Sequence, residues 1–397
     1  MSDHVINGFR LHRFAFPRNR AVGDSQTRST MHHLVAIEIL TASGLVGLGF
    51  CQSLSGPFAP KLELVRVFEA EVFKSLNGAD ALTFQNRLTR PRGGNQRAVP
   101  HGFAQAVDQA LWDIAAKAAG LPLYRLLGGT RPEVDVYGSD LGFHSTEAEL
   151  AALVEFSLSR GFKRFKVKVG HPDIEWDLAR LDLIRRLSGN KMLLMIDANE
   201  AWSGKEAVRA LQAYRTSGFD IYWAEDPCAR DDFEGLQSVR RGVPDMLVNS
   251  GEYLDLKGKM KLIESGCADI INCHGVITAT MRAAWLAHEH SQRVSIGNTP
   301  LEMGVHLAAA QPDRTWMEYS FHNTGSLVVD PVEIRDGKAF APDRPGHGLS
   351  LAAGAVARLS SDGPDTDPDE MDEAAPSVVD FSNIGSDQRS IGGPPRI

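Results

Sequence analysis

Residues 164–170 read RFKVKVG. Phe165, Val167 and Val169 alternate with Lys166 and Lys168, the two-residue period of a strand, and the strand turns two ammonium groups to one face. Runs of similar length recur from 134 to 320: VDVYGS (134–139), MLLMIDAN (192–199), IYWAEDP (221–227), DMLVNSGE (245–252), ADIINCHG (268–275), RVSIGN (293–298) and RTWMEYS (314–320). Each is followed by a segment of helical period, so the eight strands predict a parallel α/β sheet, and their number and spacing favour a closed barrel of the (β/α)8 type.

Residues 1–127 read differently. LVAIEILTASGLVGLGF (34–50) predicts two strands joined at Ser43-Gly44. AVDQALWDIAAKAAGLPLYRLLGG (106–129) predicts a long helix stopped at Gly120 and Pro122, then a short one ending at Gly128-Gly129. This is a small α+β domain. The expected division is a capping domain over 1–127, a barrel over 128–325, a C-terminal return to the cap over 326–358 and an acidic, disordered tail over 359–397.

At 397 residues and 43% hydrophobic the chain can bury a large core without disulfide staples. Its four cysteines lack CxxC spacing, and no apolar leader or membrane-length run is visible, which points to a soluble cytoplasmic protein with reduced thiols. The net charge of −8 is concentrated in the tail, where nine acids from Asp362 to Asp387 face Arg389 and Arg396. The rest is near neutral, so no basic field suggests nucleic acid and no cationic amphipathic helix suggests a membrane surface.

Asp197, Glu225 and Glu252 each close a predicted strand, at intervals of 28 and 27 residues. In a barrel, equivalent ends of adjacent strands converge on one rim. Three carboxylates there repel one another unless a cation intervenes, and an all-oxygen set favours a hard ion, Mg2+ over Zn2+. Lys166 and Lys168 lie on the preceding strand, about 6.6 Å apart along it. Partial desolvation, a second ammonium and a divalent cation all disfavour the charged amine, so one lysine can stay charged and bind an anion while the other drops its pKa and moves protons.

The set KVK (166–168), DAN (197–199), EDP (225–227) and SGE (250–252), preceded by ALWDIAAKAAGLPLYRLLGG, resembles the enolase superfamily and, within it, the mandelate racemase-like subgroup. The resemblance spans roughly residues 5–350. It implies an α+β cap over a modified (β/α)7β barrel of the TIM type, and Mg2+-dependent removal of the proton alpha to a carboxylate to give an enediolate. It implies Asp197, Glu225 and Glu252 as metal ligands, Lys168 as base and Lys166 as a neutraliser of the substrate carboxylate. By the same resemblance Asn199 adds a hydrogen bond to that group, and Glu318 in WMEYS donates to the enediolate. Members of the family often assemble as homo-oligomers; the residues read here identify no interface.

The pattern is broken at the seventh strand, where such enzymes commonly carry a His and this chain has Asn298, taken as a substrate contact. His274, ending the sixth strand, becomes the candidate acid on the face opposite Lys168, with Asp269 too deep to pair with it. His306 is expected to be structural. Segments 18–33 and 51–60, the first carrying Arg28, are expected to be capping loops that contact a polyhydroxylated acid. The leading expectation is an acid-sugar dehydratase forming a 2-keto-3-deoxy acid. The rivals are a racemase, epimerase or cycloisomerase using the same enediolate, and a non-catalytic sugar-acid or metal binder.

Overall fold

The computed structural model describes residues 3–24, 28–53, 56–83, 103–139, 142–297, 299–312, 315–320 and 324–359. Asn298 and the acidic tail from 360 onward lie outside these. Three antiparallel strands open the chain: β1 (Ile6–Gly23), β2 (Arg28–Thr41) and β3 (Val46–Ser53), in that order. The apolar run of β2 is buried on both faces. Val35, Ile37 and Ile39 join the cap core with Phe68, Val107 and Leu111, while Leu34 and Ala36 join the larger core that continues into the barrel. Period two thus sends alternate residues into two different cores.

The cap's helical layer consists of α1 (Lys61–Val67), extended by a π-type turn, α2 (Phe103–Ala118) and the short α3 (Leu123–Leu126). α2 lies on β3 at backbone range. A methyl group at Gly47 or Gly49 would overlap the carbonyl oxygen of Ala110 or Ala106. Gly49→Ala is therefore expected to destabilise the chain by about 3 kcal/mol, seen as a fall of several degrees in melting temperature. Gly354→Ala, whose added methyl meets nothing within 4 Å, is the neutral control.

The barrel strands are β4 (Glu133–Ser139), β5 (Arg164–Lys168), β6 (Leu193–Asp197), β7 (Ile221–Glu225), β8 (Leu247–Ser250), β9 (Ile270–Cys273), β10 (Arg293–Ile296) and β11 (Trp316–Tyr319). All pair in parallel, and β11 closes onto β4 through Met317–Val136 and Glu318–Tyr137. Helices α4 (Glu147–Ser159), α5 (Ile174–Ser188), α6 (Gly204–Thr216), α7 (Phe233–Gly242), α8 (Leu256–Ser265), α9 (Ile277–Glu289) and α10 (Leu301–Ala309) follow the first seven strands, giving a (β/α)7β barrel. Their starts are written locally. Thr146 and Ser203 form reciprocal capping boxes with Glu149 and Glu206, and Asp173, Asp232 and Asp255 cap three others.

Segment 328–350 divides in two. Its hairpin, β12 (Glu333–Arg335) and β13 (Lys338–Phe340), adds to the barrel sheet antiparallel to β4 rather than to the cap, because β4 starts three residues before its parallel partners need it and leaves Glu133–Asp135 free to pair. Only the stretch after it reaches the cap. The amide of His347 donates to Asp113 of α2 at 3.0 Å, and its Nε2 donates to the carbonyl of Leu48 at 2.7 Å. Buried Asp108 of α2 accepts from the amide and hydroxyl of Thr278 on α9, and burial pushes its carboxyl up to about 6. His306 is fully buried with Nε2 on the carbonyl of His347, and desolvation lowers it to about 3, a neutral structural histidine. All four cysteines are buried and free of disulfides, and no described helix is long and apolar enough to cross a membrane.

Candidate active site

Strand register builds the rim. Lys168 pairs with Asp197 and Asp197 with Glu225, so the C-terminal ends of β5, β6 and β7 are level. Ligand oxygens of Asp197, Glu225 and Glu252 come within 4.8 Å of one another, all buried. Lys166 and Lys168 are 2% and 5% exposed, far below what an unpaired ammonium tolerates. Lys166 Nζ lies 2.5 Å from Glu225 Oε1, 3.1 Å from Asp197 Oδ2 and 3.2 Å from Glu318 Oε1. Lys168 Nζ donates to Asp197 Oδ2 and to Asn199 Oδ1, each at 2.6 Å.

Four carboxylates therefore face two ammoniums, and the anionic surplus shows in the titrations. Burial pushes Glu252 up to about 8 and Glu225 well above the usual carboxylate range. Burial acts on Asp197 too, but Lys168 and Lys166 outweigh it and hold that carboxyl down at about 2. A buried, all-oxygen set with charge left over and acids forced toward neutrality is the donor chemistry of a hard divalent cation.

The lysines do not divide as the sequence suggests. Burial favours neutral amines, yet both are held above the ordinary lysine value, Lys166 by Glu225, Glu318 and Asp197, and Lys168 chiefly by Asp197. For Lys168 the attraction of Asp197, in contact at 2.6 Å, outweighs the repulsion of the Lys166 ammonium. Lys168 is protonated while Asp197 remains its partner.

Backbone strain marks the same rim. Asn199 and Glu200 after β6, and Asp226 after β7, have φ of 45°, 62° and 35°, conformations that non-glycine residues enter only when their surroundings hold them. For Asn199 those surroundings are its amide on Asp197 Oδ1 at 3.0 Å and its Nδ2 on the Tyr253 hydroxyl at 2.8 Å. Asp226 accepts from the Ser250 hydroxyl at 2.7 Å and from the amide of Gly251 at 3.2 Å, tying β7 to β8.

Several supporting residues escape the sequence reading. Asn249 and Asn272 donate to the two oxygens of Glu225 at 2.9 and 3.1 Å, and Lys259 clamps the carbonyls of Gly251 and Asn272. The signal of the two asparagines was an amide inside an otherwise apolar strand, as in LVNS and IINC. Tyr137 lies beneath Lys166, its ring centre 5.7 Å from Nζ.

His274 follows β9, half-buried, four strands from β5 in an eight-stranded ring and therefore across the mouth from Lys168. Asp269 is at the opposite end of β9, paired to Arg240 at 2.6 Å. The Cys273 thiol, raised to about 11 by burial, is no nucleophile at neutral pH. Segment 18–33 is not simply a loop: Val22 pairs with Ser29, and Gly23 with Arg28, so its ends finish the β1–β2 hairpin. The end of β1 meets the loop after β4 through Gly23 and Gly142, and the charge of Asp24 is felt by Tyr253. Arg28 is exposed beside this contact.

Residues 149–355 match the enolase C-terminal domain-like family model, and residues 12–128 match the N-terminal domain model of mandelate racemase / muconate lactonizing enzyme. A Mesorhizobium loti structure assigned provisionally as a mandelate racemase is 46% identical, with a TM-score of 0.88 over 94% of this chain and 99% of that one. The 3,6-anhydro-alpha-L-galactonate cycloisomerase of Streptomyces coelicolor is 29% identical over 90% of this chain and 99% of its own. L-Talarate dehydratase from Polaromonas sp. JS666, solved with Mg and L-glucarate, is 30% identical with a TM-score of 0.77, covering 89% of this chain and 97% of that chain. With both domain models matched in order along one polypeptide, this chain belongs to the mandelate racemase / muconate lactonizing enzyme family of the enolase superfamily.

Proposed function

We propose that this protein removes the proton alpha to a substrate carboxylate with Mg2+ as cofactor, and that it dehydrates an acid sugar to a 2-keto-3-deoxy acid. The observation that carries the reading is the contact of the buried pair Lys166 and Lys168 with Asp197 and Glu225, which with Glu252 make up the ligand triad. Bound there, Mg2+ would supply positive charge to the substrate's carboxylate oxygens and compete with Lys168 for Asp197. Without that partner, burial and Lys166 both act to make Lys168 a neutral amine. Lys168 then takes the alpha proton, and the C–H electron pair moves into the carboxylate to give the enediolate. Lys166 and Asn199 face the new charge, and Glu318, which must take up a proton to serve, is the hydrogen-bond donor to it. Return of the electrons expels the beta hydroxyl, which leaves as water with a proton from His274 or from Lys168, and the resulting enol tautomerises to the ketone. We assign Arg28 and Asn298 to the substrate's distal oxygens.

The S. coelicolor cycloisomerase, which aligns along nearly its whole length, favours a second reading, in which the same enediolate is reprotonated from the His274 side and no water is lost. A library of aldonic and aldaric acids separates the two. Keto acid detected with semicarbazide supports dehydration; alpha-proton exchange in D2O with no keto acid supports isomerisation, and neither with any acid overturns both.

Cation binding carries a pH signature. Glu252 must lose its proton to ligate, and its value of about 8 keeps it neutral at lower pH. The affinity for Mg2+ is therefore expected to rise at least about tenfold per pH unit below about pH 8, and more steeply where the upward-shifted Glu225 must lose its proton as well. Calorimetry in buffers of differing ionisation heat reads both the affinity and the released proton.

A further inference from the structure

The N-terminal face of the barrel, opposite the catalytic rim, holds a cavity of about 470 Å3, large enough for a one- or two-ring molecule. It is lined by Tyr222, Trp223, Ile270, Arg293, Thr315 and Trp316, all at or near strand starts. The three aromatic rings cluster with centroids 5.1 to 5.9 Å apart, and the Arg164 guanidinium lies 4.0 Å from the centre of Trp316. At the lip, Arg293 donates to the Tyr222 hydroxyl at 2.7 Å.

The polar atoms of this lining are unfinished. Trp223 Nε1, Trp316 Nε1 and Thr315 Oγ1 are buried without a hydrogen-bond partner among the described residues, and Trp223 is only 1% exposed. An indole N–H can only donate, so the missing partner of two of these groups is an acceptor. Each such buried group costs stability when left alone, and these three belong to residues that line or adjoin one cavity. The nearby carboxylates Asp135 and Asp269 are already engaged by Arg164 and Arg240. The rings offer apolar faces and the polar groups offer hydrogens beside a cation.

We propose that this cavity is a second small-molecule site, for a flat aromatic carboxylate whose ring enters the Tyr222, Trp223 and Trp316 cluster and whose oxygens accept from Thr315, the indoles and Arg293. It is separate from the catalytic rim. Tyr137, Met195, Trp223 and Ile270 form a buried plug between the two, and Trp223 and Trp316 precede Glu225 and Glu318 by two residues on their strands.

The test is calorimetry and tryptophan fluorescence with the full chain, using 2-naphthoate and its neutral counterpart 2-naphthamide as probes. The expected result is saturable 1:1 binding of 2-naphthoate, weakened about tenfold or more in both Arg293→Ala and Thr315→Val and unchanged in Lys168→Ala. Thr315→Val is also expected to keep or raise the melting temperature, since it removes an unsatisfied hydroxyl; a lower melting temperature would make that hydroxyl structural and overturn the assignment. So would no saturable binding up to about 10 mM. Binding lost in Lys168→Ala but kept in Arg293→Ala would place the acid at the catalytic rim, and equal binding of the amide would refute the carboxylate class.

Discussion

Lys168→Ala is expected to slow exchange of the substrate's alpha proton in D2O by roughly 10²- to 10⁴-fold, the range that a positioned general base contributes. The argument rests on place. Lys168 ends β5, level with Asp197, and the carboxylate it contacts is one a cation would claim, whereas Lys166 also contacts Glu318, which lies outside the triad. Lys166 is gripped by three carboxylates and stays an ammonium, so it can offset charge but not accept a proton. Replacing Lys166 should therefore raise KM as well as lower kcat, whereas replacing Lys168 should fall mainly on kcat. A collapsed fold is excluded by an independent readout: the Lys168→Ala chain should still bind Mg2+, and no more weakly than wild type, because it has lost a competitor for Asp197. Exchange at the wild-type rate in this variant would remove Lys168 from the mechanism.

What the sequence shows and what it withholds follow from the range of the interactions. The alternation in RFKVKVG and the acids at the ends of MLLMID and IYWAE are local, and a parallel barrel converts such local positions into one rim by register alone. Hence the pairing of Lys168, Asp197 and Glu225 was legible. The charge state of Lys168 was not, because it turns on a 2.6 Å contact with a residue 29 positions away. Strand β1 was also missed. HRFAFPRNR mixes charge, aromatics and Pro17, and its strand character comes from pairing along β2, with an irregularity between Pro17 and Val22 where the alternation fails. The β12–β13 hairpin was visible as strand and turn signals, but which sheet it joins depends on the free start of β4. Tyr253 carried no pattern at all; its link to Asn199 exists only because a strained turn aims one residue at the other.

Asp197→Asn should be the most damaging conservative change in the site. Removing outer-shell support for a metal ligand costs 10- to 100-fold in affinity, so exchanging a ligating carboxylate for an amide should weaken Mg2+ binding by at least about 100-fold. Asp197 is the member of the triad that its lysines keep ionised, while burial drives Glu225 and Glu252 toward the neutral acid, so it supplies the charge that persists when the others are protonated. The amide keeps the shape and its oxygen can still accept from the amide of Asn199, but its NH2 then faces the two ammoniums that Oδ2 held, so those contacts are lost along with the charge. The Lys168 ammonium loses its main stabilising anion, and its titration should move downward, measurable by NMR of selectively methylated lysines. Stability gives a further sign. A carboxyl held at about 2 stabilises the fold above its unfolded value near 4, and that contribution fades as pH drops toward 2. The Asp197 contribution to the melting-temperature gap between wild type and Asp197→Asn should therefore be lost between about pH 4 and pH 2. Mg2+ affinity within a few-fold of wild type in this variant would mean that the triad is not the cation site.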